Sequence, residues 1–250
     1  MKNLLAAFAA VCVMAGFAAS QTADEIIAKS LDARGGKDKI LALKSAKAYG
    51  KAFGGGMEFP MSFIWKRPGK IRFETIFGGK TGIQAFDGQN GWYIGMMGPG
   101  DAEKMPEESI KEMEENADWD GPLVDYKTKG HTVELIGSED IDGAPAFKLK
   151  VVLKSGDTKY IFIDAETWLE VKHISKTTQQ GAEIEVESYF SNYKAVDGIV
   201  TAFSLENKMG GQTVSQIGMD SMKFNIDIND SLFAMPAPKA VDSTKATEKK

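Results

Sequence analysis

From position 46 onward apolar and polar residues alternate along the chain with a period of two, and that spacing dictates strands. Phe147, Leu149, Val151 and Leu153 alternate with Lys148, Lys150 and Lys154. Ile184 and Val186 stand between Glu183, Glu185 and Glu187, and Met61, Phe63 and Trp65 run beside Ser62 and Lys66. Strands of this kind bury one face and wet the other, which is the habit of an antiparallel sheet. Asp87-Gly88, Asp142-Gly143 and Asp197-Gly198 supply the positive backbone angles of tight reversals, and Pro68-Gly69 parts one strand from the next. The spacing of these turns predicts about ten strands.

Helical spacing interrupts this pattern. Thr22 to Arg34 opens with a capping box between Thr22 and Glu25 and ends at Gly35 and Gly36; Ile26, Ile27 and Leu31 form its narrow apolar stripe. A shorter helix is expected over Asp38 to Leu43. Glu107 to Asp118 is acidic and helix-favouring, with Ile110 and Met113 on one side, and leads into Trp119, Asp120, Gly121, Pro122 and Leu123. The fold class is therefore mainly β (α+β), a strongly curved antiparallel sheet whose concave face is covered by helices.

A sheet curved in this way leaves an apolar hollow under its helices, a place for a hydrophobic ligand. Met61, Phe63, Trp65, Phe73, Trp92, Phe147, Leu149, Phe162 and Val171 are the candidates to line it, and the same residues can equally be plain core. Met96 and Met97, between Gly95 and Gly98, suit either an adaptable rim or a loop packed on the sheet's edge. Glycines at 54 to 56, 78 and 79, and 210 and 211 are turn formers or flex points. Arg67 and Arg72 can meet an acidic or phosphate head group through forked hydrogen bonds, or lie solvated at a strand end.

Lys2, an apolar run from Leu4 to Phe17 and the small residues Ala18, Ala19 and Ser20 read as a secretory signal peptide over 1–20, cleaved after Ser20. The run falls short of the roughly 20 residues that a spanning helix needs. The only cysteine, Cys12, lies in that segment, so the mature chain is expected to have no disulfide, thiolate nucleophile or cysteine metal ligand. Removing 20 residues from 250 leaves 230, enough for one large β-rich domain over 21–235, and the polar, proline-bearing tail 236–250 reads as disordered. The formal charge is −5, or −6 without Lys2, which argues against nucleic acid as a partner.

His131 and His173 are the only histidines, neither is in an HExxH spacing, and no GxSxG elbow, P-loop or dinucleotide fingerprint occurs. Glu183, Glu185 and Glu187 have the charge to attract calcium but read first as a solvated strand face. No catalytic residue, cofactor or metal site is expected. A secreted hydrolase is the less favoured alternative, because paired carboxylates need no fixed sequence spacing.

Three blocks of sequence carry a resemblance. The first is Lys66-Arg67-Pro68 with Arg72 and Phe73, followed by Phe86-Asp87-Gly88 and Trp92-Tyr93. The second runs from Gly137 to Gly143, through the strand Phe147 to Leu153, to Tyr160–Trp168; the third is Asp230-Ser231-Leu232-Phe233 before Pro236. Together they resemble the LolA-like family of periplasmic lipoprotein carriers and outer-membrane lipoprotein-sorting proteins, over nearly all of the mature chain. The resemblance implies an incomplete β-barrel with helical lids, a cavity that shields acyl chains, and no nucleotide, metal or covalent chemistry. It also implies a periplasmic monomer that carries lipoprotein acyl chains or another lipid between an inner-membrane donor and an outer-membrane acceptor protein. Lipid-sensing domains of envelope-stress regulators look similar, and a glycolipid carrier has the same kind of lining, so both readings stay open.

Overall fold

The computed structural model describes residues 21–96, 100–179 and 182–237. The expected signal peptide and nearly all of the expected tail lie outside the described residues. Among the described residues three α-helices, α1 (Ala23–Ala33), α2 (Lys37–Ala42) and α3 (Glu107–Ala117), accompany fifteen strands. The first six strands are β1 (Ser45–Gly54), β2 (Met57–Lys66), β3 (Lys70–Phe77), β4 (Lys80–Phe86), β5 (Gly91–Ile94) and β6 (Glu103–Lys104). After α3 come β7 (Thr132–Ile141), β8 (Ala144–Val152), β9 (Thr158–Asp164), β10 (Glu170–Gln179) and β11 (Ala182–Ser191). The last are β12 (Lys194–Val196), β13 (Ile199–Thr201), β14 (Ser204–Met209) and β15 (Gln212–Phe224).

Thirteen strands form one antiparallel sheet in the order β6-β5-β4-β3-β2-β1-β15-β14-β11-β10-β9-β8-β7, and β12 pairs with β13 in a separate ribbon. The sheet is open, with β6 and β7 at its edges. The strand count exceeds the expected ten chiefly because β5, β6, β12 and β13 are only two to four residues long, too short to show an alternation. The sheet curls strongly: Trp65 on β2 and Leu149 on β8, seven strands apart in that order, belong to one buried cluster.

Local chemistry accounts for the reversals and the helix ends. On α1 the Thr22 amide donates to Glu25 Oε2 (2.9 Å) and the Glu25 amide donates to Thr22 Oγ1 (3.2 Å), the capping box read from the sequence. Asp142-Gly143 and Asp197-Gly198 turn with φ of 53° and 89°, and of 51° and 79°. Gly35, at φ 109°, ends α1 against the β12-β13 ribbon, where a Cβ would stand 2.2 Å from the Gly198 carbonyl oxygen. The glycine pairs 55 and 56, 78 and 79, and 210 and 211 all have positive φ and close hairpins, so the geometry needs them as turns.

The core lies on the concave face. Ile26, Ile27 and Leu31 of α1 join Ala46, Ala48, Phe63, Trp65, Leu149, Val151, Ile161 and Ile163 there. Each large side chain taken out of water contributes about 1.5–3 kcal/mol. Trp119 closes this end of the sheet, its ring 5.6 Å from Phe63, 5.6 Å from Trp65 and 5.8 Å from Phe224. The Trp65 indole N–H donates to the carbonyl of Ala117 at 2.7 Å, which ties the end of α3 to the sheet.

The convex face has a smaller cluster of its own. Ile64 packs with Ile228 and Phe233 of the C-terminal segment. Asp230 anchors that segment through Lys66 (2.7 Å) and Lys70 (2.9 Å), and these hydrogen bonds, Lys66 first, lower its pKa to about 2. A folded-state value below the unfolded one contributes stability above the ordinary aspartate pKa of about 3.9 and loses it as pH falls through about 2. The indole proton of Trp92, which donates to the Phe233 carbonyl at 2.7 Å, is the reporter. Its NMR signal is expected to shift between about pH 4 and 2 in the wild type and to lose that transition in Asp230→Asn. An identical transition in both proteins rules out Asp230 as the anchor.

Candidate functional site

Strand register sorts the inner face into rungs, because residues directly opposite in an antiparallel sheet point the same way. Near the Trp119 end the rungs are buried, as with Trp65-Ala46-Phe224 and Phe63-Ala48-Met222. Further along the strands the rung Phe59-Ala52-Ile217-Leu205-Phe190 crosses β2, β1, β15, β14 and β11. It is wholly apolar, yet each of its residues is only half-buried. Phe77, 40% exposed, lies edge-on to Phe59 at 5.4 Å and extends the apolar surface onto β3. Helix α3 packs against β3, β4 and β5 and α1 against β7, with Ile26, Ile27 and Leu31 of α1 in the buried core beside Trp65 and Leu149; the half-buried rung lies outside that core, an apolar trough along the inner face of the curved sheet.

The next rung is polar at its centre. Leu135, Leu149, Ile161, His173, Ser188, Asn207 and Ser215 stand opposite one another across β7, β8, β9, β10, β11, β14 and β15. Ser188 Oγ donates to Asn207 Oδ1 at 2.7 Å, and Asn207 Nδ2 donates to Ser215 Oγ at 3.0 Å. His173 Nδ1 lies 3.0 Å from Glu170 Oε1, and its ring is 5.0 Å from that of Phe190. Beyond it Val186 and Met209 are apolar, with Ser175 on β10 and Gln212 on β15 opposite them. This centre is missing from the sequence reading, although Ser188 visibly interrupts the run Ile184, Val186, Ser188, Phe190.

Six of the nine candidate lining residues share the inner face. Phe63, Trp65 and Leu149 are core; Phe73 and Phe147 are half-buried against it, with Phe147 stacked on Trp168 at 5.4 Å; Met61 shares the rung of Gly50. The other three are corrected. Phe162 stands opposite Lys148 and Lys172 on the outer face, their ammonium groups 5.3 and 5.6 Å from its ring. Ile161 and Ile163 flank it, so both faces of this strand are apolar and alternation alone could not assign it. Trp92 shares the outer face with Ala85, Arg72 and Ile64, covered by Phe233. Val171 is the extra residue of a bulge in β10, which hands the inward position to His173. Met96 lies over the inner face, its Cγ where a Cβ on Gly82 would clash at 2.6 Å; Met97 lies outside the described residues.

Neither arginine is free to hold a head group. Arg67 forks onto Asp120 at 2.9 and 2.6 Å and also donates to the carbonyls of Leu43 (2.6 Å) and Ile40 (3.3 Å). Arg72, on the outer face, is held by Glu74 (2.7 Å) and by the Leu232 carbonyl (2.7 Å). Both serve the fold.

A groove of ≈ 1390 Å³ opens beside Arg67, between α3, the β2-β3 turn and the β8-β9 turn. Trp65, Phe86, Trp119 and Leu153 line it together with lysines and carboxylates such as Lys111, Glu115 and Asp157. His131 on its rim accepts the Lys154 amide at Nδ1 (3.0 Å); burial first, then Lys129, pushes its pKa down, which fits a neutral structural ring. The acidic row is equally accounted for: Glu187 pairs with Lys172 and Glu183 with Lys176, and Glu185 stands opposite Lys176. Among the described residues no group of three His, Cys, Asp or Glu could hold a metal ion, and no helix is long and apolar enough to cross a membrane.

No protein-family model matches the sequence, and no curated protein matches it. Solved structures do match in shape. A DUF1329 family protein from Desulfovibrio piger superposes with a TM-score of 0.59 at 12% identity, over 86% of this chain and 98% of its own. A LolA superfamily protein from Nitrosomonas europaea gives 0.56 at 11%, over 86% and 98%. A Vibrio parahaemolyticus domain titled a putative outer membrane lipoprotein-sorting protein gives 0.56 at 12%, over 84% and 94%. At such identities the likeness is one of fold: the chain has the open, curved sheet with helices that the LolA-like resemblance implied.

Proposed function

We propose that this protein is a periplasmic carrier that shelters the acyl chains of a lipoprotein or related envelope lipid in its trough during transfer toward the outer membrane. The observation that carries this reading is the rung Phe59-Ala52-Ile217-Leu205-Phe190, apolar throughout and left half-exposed inside a curved sheet. Apolar surface held open within a fold has no structural use of its own, and a bound chain recovers about 0.8 kcal/mol for every methylene it buries there. The fold shared with a LolA superfamily protein and with a domain named for lipoprotein sorting supports the same assignment. A carrier in this role takes its cargo from an inner-membrane donor and yields it to an outer-membrane acceptor. Release needs loaded and empty states separated by only a few kcal/mol, so that a partner can tip them.

Native mass spectrometry of the protein purified without detergent, with and without added acyl amphiphile, is the test. Bound species and displacement of a fluorescent acyl probe are expected. A protein that stays empty and leaves the probe free is not a lipid carrier.

A further inference from the structure

The hydrogen-bonded polar centre of the trough has a chemistry of its own. On β1, β2, β10, β11, β14 and β15 every described lysine stands at an outward register position: Lys47, Lys51 and Lys66, then Lys172 and Lys176, then Lys208 and Lys223. No arginine occurs on these strands. The inner face there thus offers no permanent cation to a carboxylate or phosphate. What it offers is a row of uncharged groups at a fixed depth, bordered by the Phe190-Leu205-Ile217 rung on one side and by Val186 and Met209 on the other.

The hydrogen-bond inventory of that row is asymmetric. Asn207 spends its oxygen on Ser188 and one Nδ2 proton on Ser215, which leaves its second Nδ2 proton and the Ser215 hydroxyl proton as donors. His173 Nδ1 lies 3.0 Å from Glu170 Oε1, and in the tautomer that donates Nδ1–H to that carboxylate Nε2 is an acceptor; His173 stands opposite Ser188 across β10 and β11. Asn207 and Ser215 are half-buried and can reach a ligand without unfolding the sheet.

We propose that Asn207 and Ser215 form a subsite for an uncharged carbonyl at the head of an acyl chain, an ester or an amide, and select it over a free carboxylate. This deepens the carrier reading and rests on it. Placing a carboxylate here costs its desolvation with no countercharge, whereas an ester or amide carbonyl accepts from both donors. An amide also has an N–H for His173 Nε2, so an amide head is favoured over an ester if the histidine takes part.

Three ligands with one common chain isolate the head group: oleate, methyl oleate and oleamide, each used to displace a fluorescent acyl probe from the full mature protein at neutral pH. Methyl oleate and oleamide are expected to displace at concentrations about tenfold lower than oleate. In Asn207→Leu, and independently in Ser215→Ala, that ratio is expected to fall toward one. Oleate displacing as well as or better than the neutral ligands overturns the subsite, as does a ratio unchanged in both folded variants; in either case the trough stands. Failure of every ligand, the probe included, instead removes the carrier reading beneath it. Oleamide outperforming methyl oleate assigns His173 to the subsite; equal displacement assigns the carbonyl to Asn207 and Ser215 alone.

Discussion

Replacing Arg67 with methionine is expected to destabilise the fold by about 3 kcal/mol, measured as a lower urea midpoint at unchanged slope. The value comes from what is left behind. Asp120 is 5% exposed and takes both of its ordinary partners from the Arg67 fork, so the variant strands a buried carboxylate. Loss of one partner from a buried pair costs about 3–5 kcal/mol, and the low end applies because a third of the Arg67 side chain is exposed, at 33%. The same guanidinium binds the carbonyls of Leu43 and Ile40, and Arg34 Nη1 donates to the Asp120 carbonyl at 3.3 Å. One knot therefore joins the ends of α1, α2 and β2 to the segment that carries Trp119. The double variant Arg67→Met with Asp120→Leu is expected to recover part of the loss, since removing both charges leaves none unpaired. Normal stability in the single variant, accompanied by weaker binding of charged-head lipids, would return Arg67 to the head-group role.

The same arginine marks the limit of what the sequence made legible. Alternation and turn residues place the strands and their wet and dry faces well, because period two is enforced wherever one face is buried. The capping box of α1 is equally local and equally clear. Partners distant in sequence are not. Nothing near Arg67 announces Asp120, 53 residues on, and nothing near Trp92 announces Phe233, 141 residues on, whose segment turns part of the outer face apolar. Where a strand is apolar on both faces, as at Ile161, Phe162 and Ile163, alternation falls silent and register decides; the Lys148 opposite Phe162 is the clue that sequence holds only once the pairing is known. A bulge has the same effect at Val171, moving the inward position to a histidine that looks unremarkable in isolation. The polar centre of the trough is assembled from four strands, so no window of sequence contains it.

Placing one carboxylate in the trough, as Ala52→Glu, is expected to weaken acyl-probe binding by about a hundredfold. Ala52 stands between Phe59 and Ile217 in the half-exposed rung, so the new side chain projects into open space and water can still reach it in the empty protein. A bound chain excludes that water. The effective cost of desolvating an ion is several kcal/mol, equivalent to the gain from roughly four methylenes at about 0.8 kcal/mol each, and each 1.4 kcal/mol is a factor of ten in affinity. Phe63, by contrast, is 7% exposed within the core, and a charge there is expected to unfold the protein before it reports on a ligand. The control lies one residue away. Lys51→Glu changes the charge by more and sits on the same strand but on the outer face, where its salt bridge to Glu58 is exposed on both sides, so binding is expected to change by less than about twofold. Equal losses in the two variants point to long-range charge as the cause and remove the trough as the binding surface; a loss confined to Ala52→Glu locates the chain against the inner face of β1.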